Sequence, residues 1–377
     1  MIADARAAKK NRGAPTVQVT NRAQPPYAVG DARNPCASIG LTADFCCRSS
    51  GGAGFGRPHE RTMSSILYEL RYPTKWYSKL VTAVLALIVF AVLATAAIAG
   101  FLVYRIVKPQ RTSSDINMDS FPGKPDAVEF TVPSLEHGGR HGWFFPGLRG
   151  APTILLCHGY GSSRGELLTL VSALQDHQYN VFIFDFAAHG AIDGVTSFGY
   201  HEADEVRAAI DVVAQRSDVD PGAFGIWGYN LGAYAALREA ENDHRVRALV
   251  LDSVYDLPQQ MVKIGVERTG LGGFPLMARS AEFSFNWLNY KYREDPPISR
   301  KIGTLAGVPK LFIEPADDPE LSELTRQMFM KAPEPRDQVI IPHGNFVAMD
   351  DNDKRDYENR VVSFFLLKLP ATGGVAH

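Results

Sequence analysis

The chain is predicted to be an α/β protein: a doubly wound, mostly parallel sheet carrying a helical lid insertion, preceded by one transmembrane helix. Three observations lead there. Strand-like and helix-like stretches alternate from about residue 125 to residue 369. Runs such as Thr153-Ile154-Leu155-Leu156-Cys157 are apolar at every position, as strands buried on both faces are. Leu80 to Tyr104 is a run of about 25 almost wholly apolar residues without a charge, long enough to cross a hydrocarbon core.

Composition narrows the classes. With 377 residues, 45% of them hydrophobic and 21% charged, the chain has enough apolar material for one large folded domain with extra segments. A net charge of −2 argues against nucleic acid as a partner. No metal-ligand spacing, phosphate-cradling glycine loop or dinucleotide fingerprint occurs, so no cofactor is expected. Cys36, Cys46, Cys47 and Cys157 are too few and too unevenly placed for a disulfide framework. The Cys46-Cys47 pair reads as ordinary tail residues in preference to a lipidated or metal-binding site.

Residues 1–62 are rich in Ala, Gly, Arg, Pro and Asn, lack any sustained period, and read as a disordered tail. That composition suggests Met63 as an alternative start to Met1. Residues 63–79 form a basic juxtamembrane segment, and residues 80–104 the span. The span reads as a retained anchor, because a signal peptide would be shorter and nearer the start; Ala94, Ala96 and Ala97 offer only a faint cleavage pattern. Arg71, Lys75 and Lys79 are matched by Arg105, Lys108 and Arg111, but Arg48, Arg57 and Arg61 tilt the basic excess toward the amino-terminal side. A single-pass membrane protein with its folded domain outside the cytoplasm is the expectation. The bilayer is then a partner through Leu80 to Tyr104.

A polar linker over 105–124 leads into the folded domain, 125–369. Val128 to Val132 and Trp143 to Pro146 read as opening strands, and Thr153 to Cys157 as a central one. Ser163 with Glu166 makes a capping box for a helix with Leu167, Leu170, Val171 and Leu174 on one stripe. Then follow strand Val181 to Phe186, helix Glu202 to Gln215 with Val206, Ile210 and Val213 inward, and strand Phe224 to Trp227. Strands at Ala248 to Leu251, Lys310 to Ile313 and Gln338 to Ile341 complete the sheet, and Tyr357, Val361 and Phe364 mark a closing helix. The lid occupies about 255–308, with Phe274, Phe283, Phe285, Trp287 and Tyr290. These aromatics either pack the lid onto the sheet or line an apolar pocket. A short tail, 370–377, ends the chain.

The string Phe224-Gly225-Ile226-Trp227-Gly228-Tyr229-Asn230-Leu231-Gly232 has the form of a nucleophile elbow. Gly228 and Gly232 allow a strand to turn sharply into a helix, where any Cβ would collide. The apex is forced into a strained left-handed conformation, which asparagine tolerates better than most residues. Asn230 stands where G-x-S-x-G places serine, and a carboxamide has no proton whose loss yields a good nucleophile. His158-Gly159-Tyr160-Gly161 follows the Thr153 to Cys157 strand, and Asp185-Phe186-Ala187-Ala188-His189-Gly190, then Gly194, Gly199, Glu202 and Asp204, follow the next.

Taken in order, these motifs resemble the α/β-hydrolase superfamily, in particular its membrane-tethered esterase, lipase and serine-peptidase-like branch. The resemblance covers Pro125 to Leu369. It implies the α/β-hydrolase fold and hydrolysis of ester, thioester or amide bonds. It implies an oxyanion turn at His158, Gly159 and Gly161, with the backbone of Tyr160 and the N–H of Leu231 as donors. His158 and His189 are read as structural. The resemblance places the acid just after Ile313, where Asp317 fits better than Asp318. It places the histidine after the last strand, on Asn345, with His343 two residues early; a local shift would bring His343 in instead. Hydrolysis is therefore expected to be impaired, leaving a pseudoenzyme that binds a small acyl-type ligand or a protein partner. The alternative is hydrolysis by water activated by His343 or Asp317. Conversion of Asn230 to aspartate is a third route, slowed by the bulk of Leu231.

Overall fold

The computed structural model describes residues 68, 71–72, 75–111, 124–135 and 138–371. The expected tail 1–62, Met63, most of the juxtamembrane segment, linker residues 112–123 and tail residues 372–377 lie outside them. The first helix, α1 (Trp76–Val107), has 32 residues and a mean hydropathy of 2.7 over its most apolar window, long and apolar enough to cross a membrane. It overruns the expected 80–104 at both ends. Pro109 limits it, since the residue before a proline is pushed out of the helical region, and Lys108 has φ −123° and ψ 75°. Most of α1 is exposed, but Ala99, Val103, Ile106 and Val107 are buried.

The sheet has eight strands: β1 (Asp126–Thr131), β2 (Gly139–Phe145), β3 (Thr153–Cys157), β4 (Asn180–Phe184), β5 (Phe224–Tyr229), β6 (Val246–Asp252), β7 (Lys310–Pro315) and β8 (Arg336–Ile341). Their order is β1-β2-β4-β3-β5-β6-β7-β8, antiparallel at β1-β2 and β2-β4 and parallel elsewhere. The central strands β3 and β4 are buried at every residue, which is why their sequence shows no alternation.

Helices cover both faces. On one lie α2 (Leu168–Gln175) and α8 (Asp351–Lys368), whose Leu170, Val171, Leu174, Tyr357, Val361 and Phe364 pack with Trp227. On the other lie α3 (Tyr200–Val213), α4 (Leu231–Ala240) and the buried end of α1. The same core takes in α7 (Pro319–Lys331) and the lid, which lies between β6 and β7 in the chain and is made of α5 (Pro258–Arg268), α6 (Pro275–Leu288) and three short turns. Both lid helices open with proline, whose missing N–H is harmless in a first turn.

Two local details depart from expectation for stated reasons. Strand β4 stops two residues short of Phe186, because the Phe186 N–H turns from the ladder to His158 Nε2 at 3.1 Å. At the expected capping box only the Glu166 half forms. Its carboxylate accepts the Ser163 N–H at 3.4 Å, while Ser163 Oγ is buried without a partner and a short 3₁₀ turn precedes α2.

Candidate functional site

Asn230 caps the amino terminus of α4 with φ 54° and ψ −110°, a strained conformation at the apex between β5 and α4. Crowding beneath it explains the two glycines. A Cβ on Gly228 would lie 2.5 Å from the Gly232 carbonyl oxygen, and one on Gly232 would lie 2.2 Å from that of Cys157. The Asn230 N–H donates to the Asp252 carbonyl at 2.9 Å, and the Asn230 carbonyl accepts from Tyr234 at 3.1 Å, which fixes the bend.

The side chain at the apex is buried beneath the lid. Asn230 is 4% exposed, its Nδ2 lies 3.6 Å from Met261 Sδ on α5, and its Oδ1 has no partner. Leu231, directly after it, is the first residue of α4, so its N–H lacks an intrahelical acceptor and sits at the positive end of the helix. Such a donor can hold a carbonyl oxygen or an anion. Gly159, in the turn after β3, lies against Tyr229, whose ring a Cβ there would strike at 2.2 Å. Gly161 has φ +75°, so the turn uses its left-handed freedom. Tyr160 turns its side chain away from the elbow: its hydroxyl donates to the Ile106 carbonyl at 2.8 Å and its ring stacks on Phe198.

His158 and His189 are held by backbone. His158 is fully buried, its Nδ1 2.9 Å from the Gly159 carbonyl and its Nε2 accepting from Phe186. Burial lowers its pKa to about 4, so the ring is neutral. His189 Nδ1 bonds the Ala187 carbonyl at 2.8 Å, and burial with the neighbouring His158, ring centroids 5.2 Å apart, also lowers its pKa.

The acid and base candidates meet each other at the surface. Asp317 Oδ2 lies 3.6 Å from His343 Nδ1, and Asp317 Oδ1 accepts the Gly344 N–H at 2.8 Å. His343 is 59% exposed and has Asp353 3.8 Å from its other nitrogen. Asn345 faces solvent, its Oδ1 accepting the Val347 N–H at 3.2 Å, so the residue that Asp317 engages is His343 and not Asn345. Asp318 is engaged elsewhere, capping α7 through the Leu321 N–H and pairing with Arg268 of the lid at 2.6 Å. Among the described residues, no imidazole is hydrogen-bonded to a serine or threonine hydroxyl or to a thiol. The Cys157 thiol is fully buried and its pKa is pushed far up, so it is inert.

A buried network behind the elbow escapes sequence reasoning. Trp227 Nε1–H donates to the Tyr357 hydroxyl at 2.9 Å, which donates to Asp252 Oδ2 at 2.7 Å; Ser253 Oγ donates to Asp252 Oδ1 at 2.8 Å. Burial raises the Asp252 pKa to about 7, against the lowering effect of those two donors. The available signal is an acid closing the apolar run Leu249-Val250-Leu251. An open cavity of about 630 Å³ also lies away from Asn230, lined by Leu135, Arg140, Ala187, Ile192, Val195 and His201.

A mostly parallel eight-stranded sheet, a strained strand-to-helix apex after β5 and a helical lid over that apex define an α/β-hydrolase-class protein. The family profile described as the alpha/beta hydrolase family matches residues 154–367, and the chain belongs to that family. It is 28% identical over 258 residues to the uncharacterized protein YfhR of Escherichia coli K12, covering 66% of this chain and 83% of that protein. It is 24% identical over 269 residues to the uncharacterized protein YqkD of Bacillus subtilis, covering 69% of this chain and 85% of YqkD. The Pyrococcus furiosus esterase Pf2001 superposes with a TM-score of 0.53 at 19% identity over 69% of this chain and 99% of the esterase, a likeness of fold.

Proposed function

We propose that this is a membrane-anchored, single-pass α/β-hydrolase-fold protein that binds an acyl-type ligand or a protein partner without forming a covalent acyl intermediate. One observation carries the reading: the apex of the elbow is a buried carboxamide whose side chain contacts Met261. Serine activation requires a hydroxyl and an imidazole in contact. Here the apex is buried under α5, whereas His343 is 59% exposed. The Leu231 N–H, on the other hand, survives loss of the serine, so a carbonyl oxygen can still be held. Anchoring is supported by the length and hydropathy of α1, and an acyl ligand by the esterase-like fold.

The pairing of Asp317 with His343 favours one second reading, hydrolysis by a water that this pair activates. Incubating the full-length protein with short-chain 4-nitrophenyl esters and a fluorophosphonate probe separates the two. No turnover and no labelling is the expected result. Turnover without labelling that is lost in His343→Gln supports the water mechanism, and covalent labelling of any serine overturns both readings.

A further inference from the structure

We propose that lid helix α6 lies in the headgroup layer of the bilayer, its outward stripe in contact with lipid. The inference rests on reading α1 as a span and extends it to the lid. Along α1 the aromatic and basic residues that mark membrane interfaces sit at the two ends, Trp76 and Tyr77 at one and Tyr104 and Arg105 at the other. Trp76 and Tyr104 are separated by about 42 Å of helix at 1.5 Å per residue, close to the full bilayer thickness of about 40–45 Å. Ala99 and Val103 lie on the membrane side of Tyr104, yet both are buried by protein.

The principal helical neighbour of α1 is α6, with α5 touching it where a Cβ on Gly265 would meet Ile106 Cδ1 at 3.1 Å. The lid therefore reaches headgroup depth beside α1. Helix α6 has two unlike faces. Ala281 and Phe285 are buried against the fold, whereas Leu276, Phe283 and Trp287 fall on one outward stripe, with Tyr290 in the turn just after the helix; each of these four is more than 60% exposed. Soluble proteins seldom present so large an apolar patch without a partner. The neighbouring helix α1 also exposes apolar side chains, and the stripe is followed by exposed Lys291 and Arg293, cations of the kind that meet lipid phosphates. Arg279 and Glu282 on the same helix are exposed and opposite in sign, so the helix itself adds little net charge.

Tryptophan quenching tests this with the full chain reconstituted into phosphatidylcholine vesicles, with and without bromine on the upper acyl chain. Trp287→Phe and Trp76→Phe assign the emission of each residue, and Trp287 is exposed enough that its loss leaves the core intact. The Trp287 emission is expected to fall roughly twofold in brominated vesicles, as for an apolar face set about 5–10 Å into the headgroup boundary. Phe283→Glu is expected to relieve that quenching while Trp76 stays quenched. Quenched Trp76 with unquenched Trp287 overturns the inference and leaves the anchor reading standing. The same holds if Trp287 is blue-shifted but unquenched, as beneath a second copy of the chain. Neither residue quenched overturns the anchor reading itself.

Discussion

The hydroxyl of Tyr160 donates to the carbonyl oxygen of Ile106 at 2.8 Å, tying the turn after β3 to the last turn of the long apolar helix. The Thr196 N–H reaches the next carbonyl, Val107, also at 2.8 Å. These bonds satisfy two carbonyls that a helix end leaves without partners, and they join the fold to α1 at fixed points. Tyr160→Phe keeps the ring on Phe198 and removes only the donor. It is expected to lower unfolding stability by about 1 kcal/mol, read by denaturant titration in detergent. A loss within error would show that solvent replaces the bond.

The atoms that a Cβ on Gly232 would strike first, at Cys157 and His158, are all backbone, so they cannot move aside as a side chain could. Gly232→Ala should cost at least about 2 kcal/mol or prevent folding, as overpacking against a fixed wall does. Gly303, with nothing within 4 Å of a built Cβ, is the control, and Gly303→Ala should fold normally. Equal melting temperatures for the two variants would contradict the close approach of α4 to β3.

A serine placed at residue 230 is not expected to act as a nucleophile by itself. Residue 230 contacts Met261, and the imidazole that Asp317 holds is exposed. Asn230→Ser is therefore expected to remain unlabelled by fluorophosphonate. Rapid labelling of Ser at that position would mean that an imidazole reaches the apex.

Buried Asp252 and buried His158 act in opposite senses on stability. The Asp252 pKa is raised to about 7, so the native state keeps a proton that the unfolded chain releases near pH 4. Its contribution is complete below about pH 4 and is lost as pH rises through about 7. The His158 pKa is lowered to about 4, so its contribution is present above about pH 6.5 and is lost as pH falls. Asp252→Asn imitates the protonated acid. The stability of this variant relative to wild type should rise between pH 5 and pH 8 in urea titrations, and a pH-independent difference would refute the assignment.

The bridge from Arg268 to Asp318 links the lid to the loop after β7, but Arg268 is largely exposed, so solvent screens it. Arg268→Ala should cost less than about 1 kcal/mol globally while hastening amide exchange in α5. Unchanged exchange there would show that the Met261 side of the helix alone holds the lid down.

Much of this was written locally. Alternating strand and helix patterns are set by which faces are apolar, so β3, β7, the stripes of α2 and α3, and the lid between β6 and β7 were legible from residue order alone. The elbow glycines and the amide at residue 230 were equally so, because steric demand at a tight bend depends on adjacent residues. What the sequence could not decide was set by contacts between distant segments. The Phe186 N–H ends β4 early by turning to His158, and Asp317 selects His343 while Asn345 is left to cap a turn. Asp252, Tyr357 and Trp227 form one network only because two strands, β5 and β6, and one helix, α8, converge behind the apex. Residue order fixes a residue's own preferences, but partners, burial and pKa shifts depend on what the folded chain places beside it, and that is decided only by the tertiary structure.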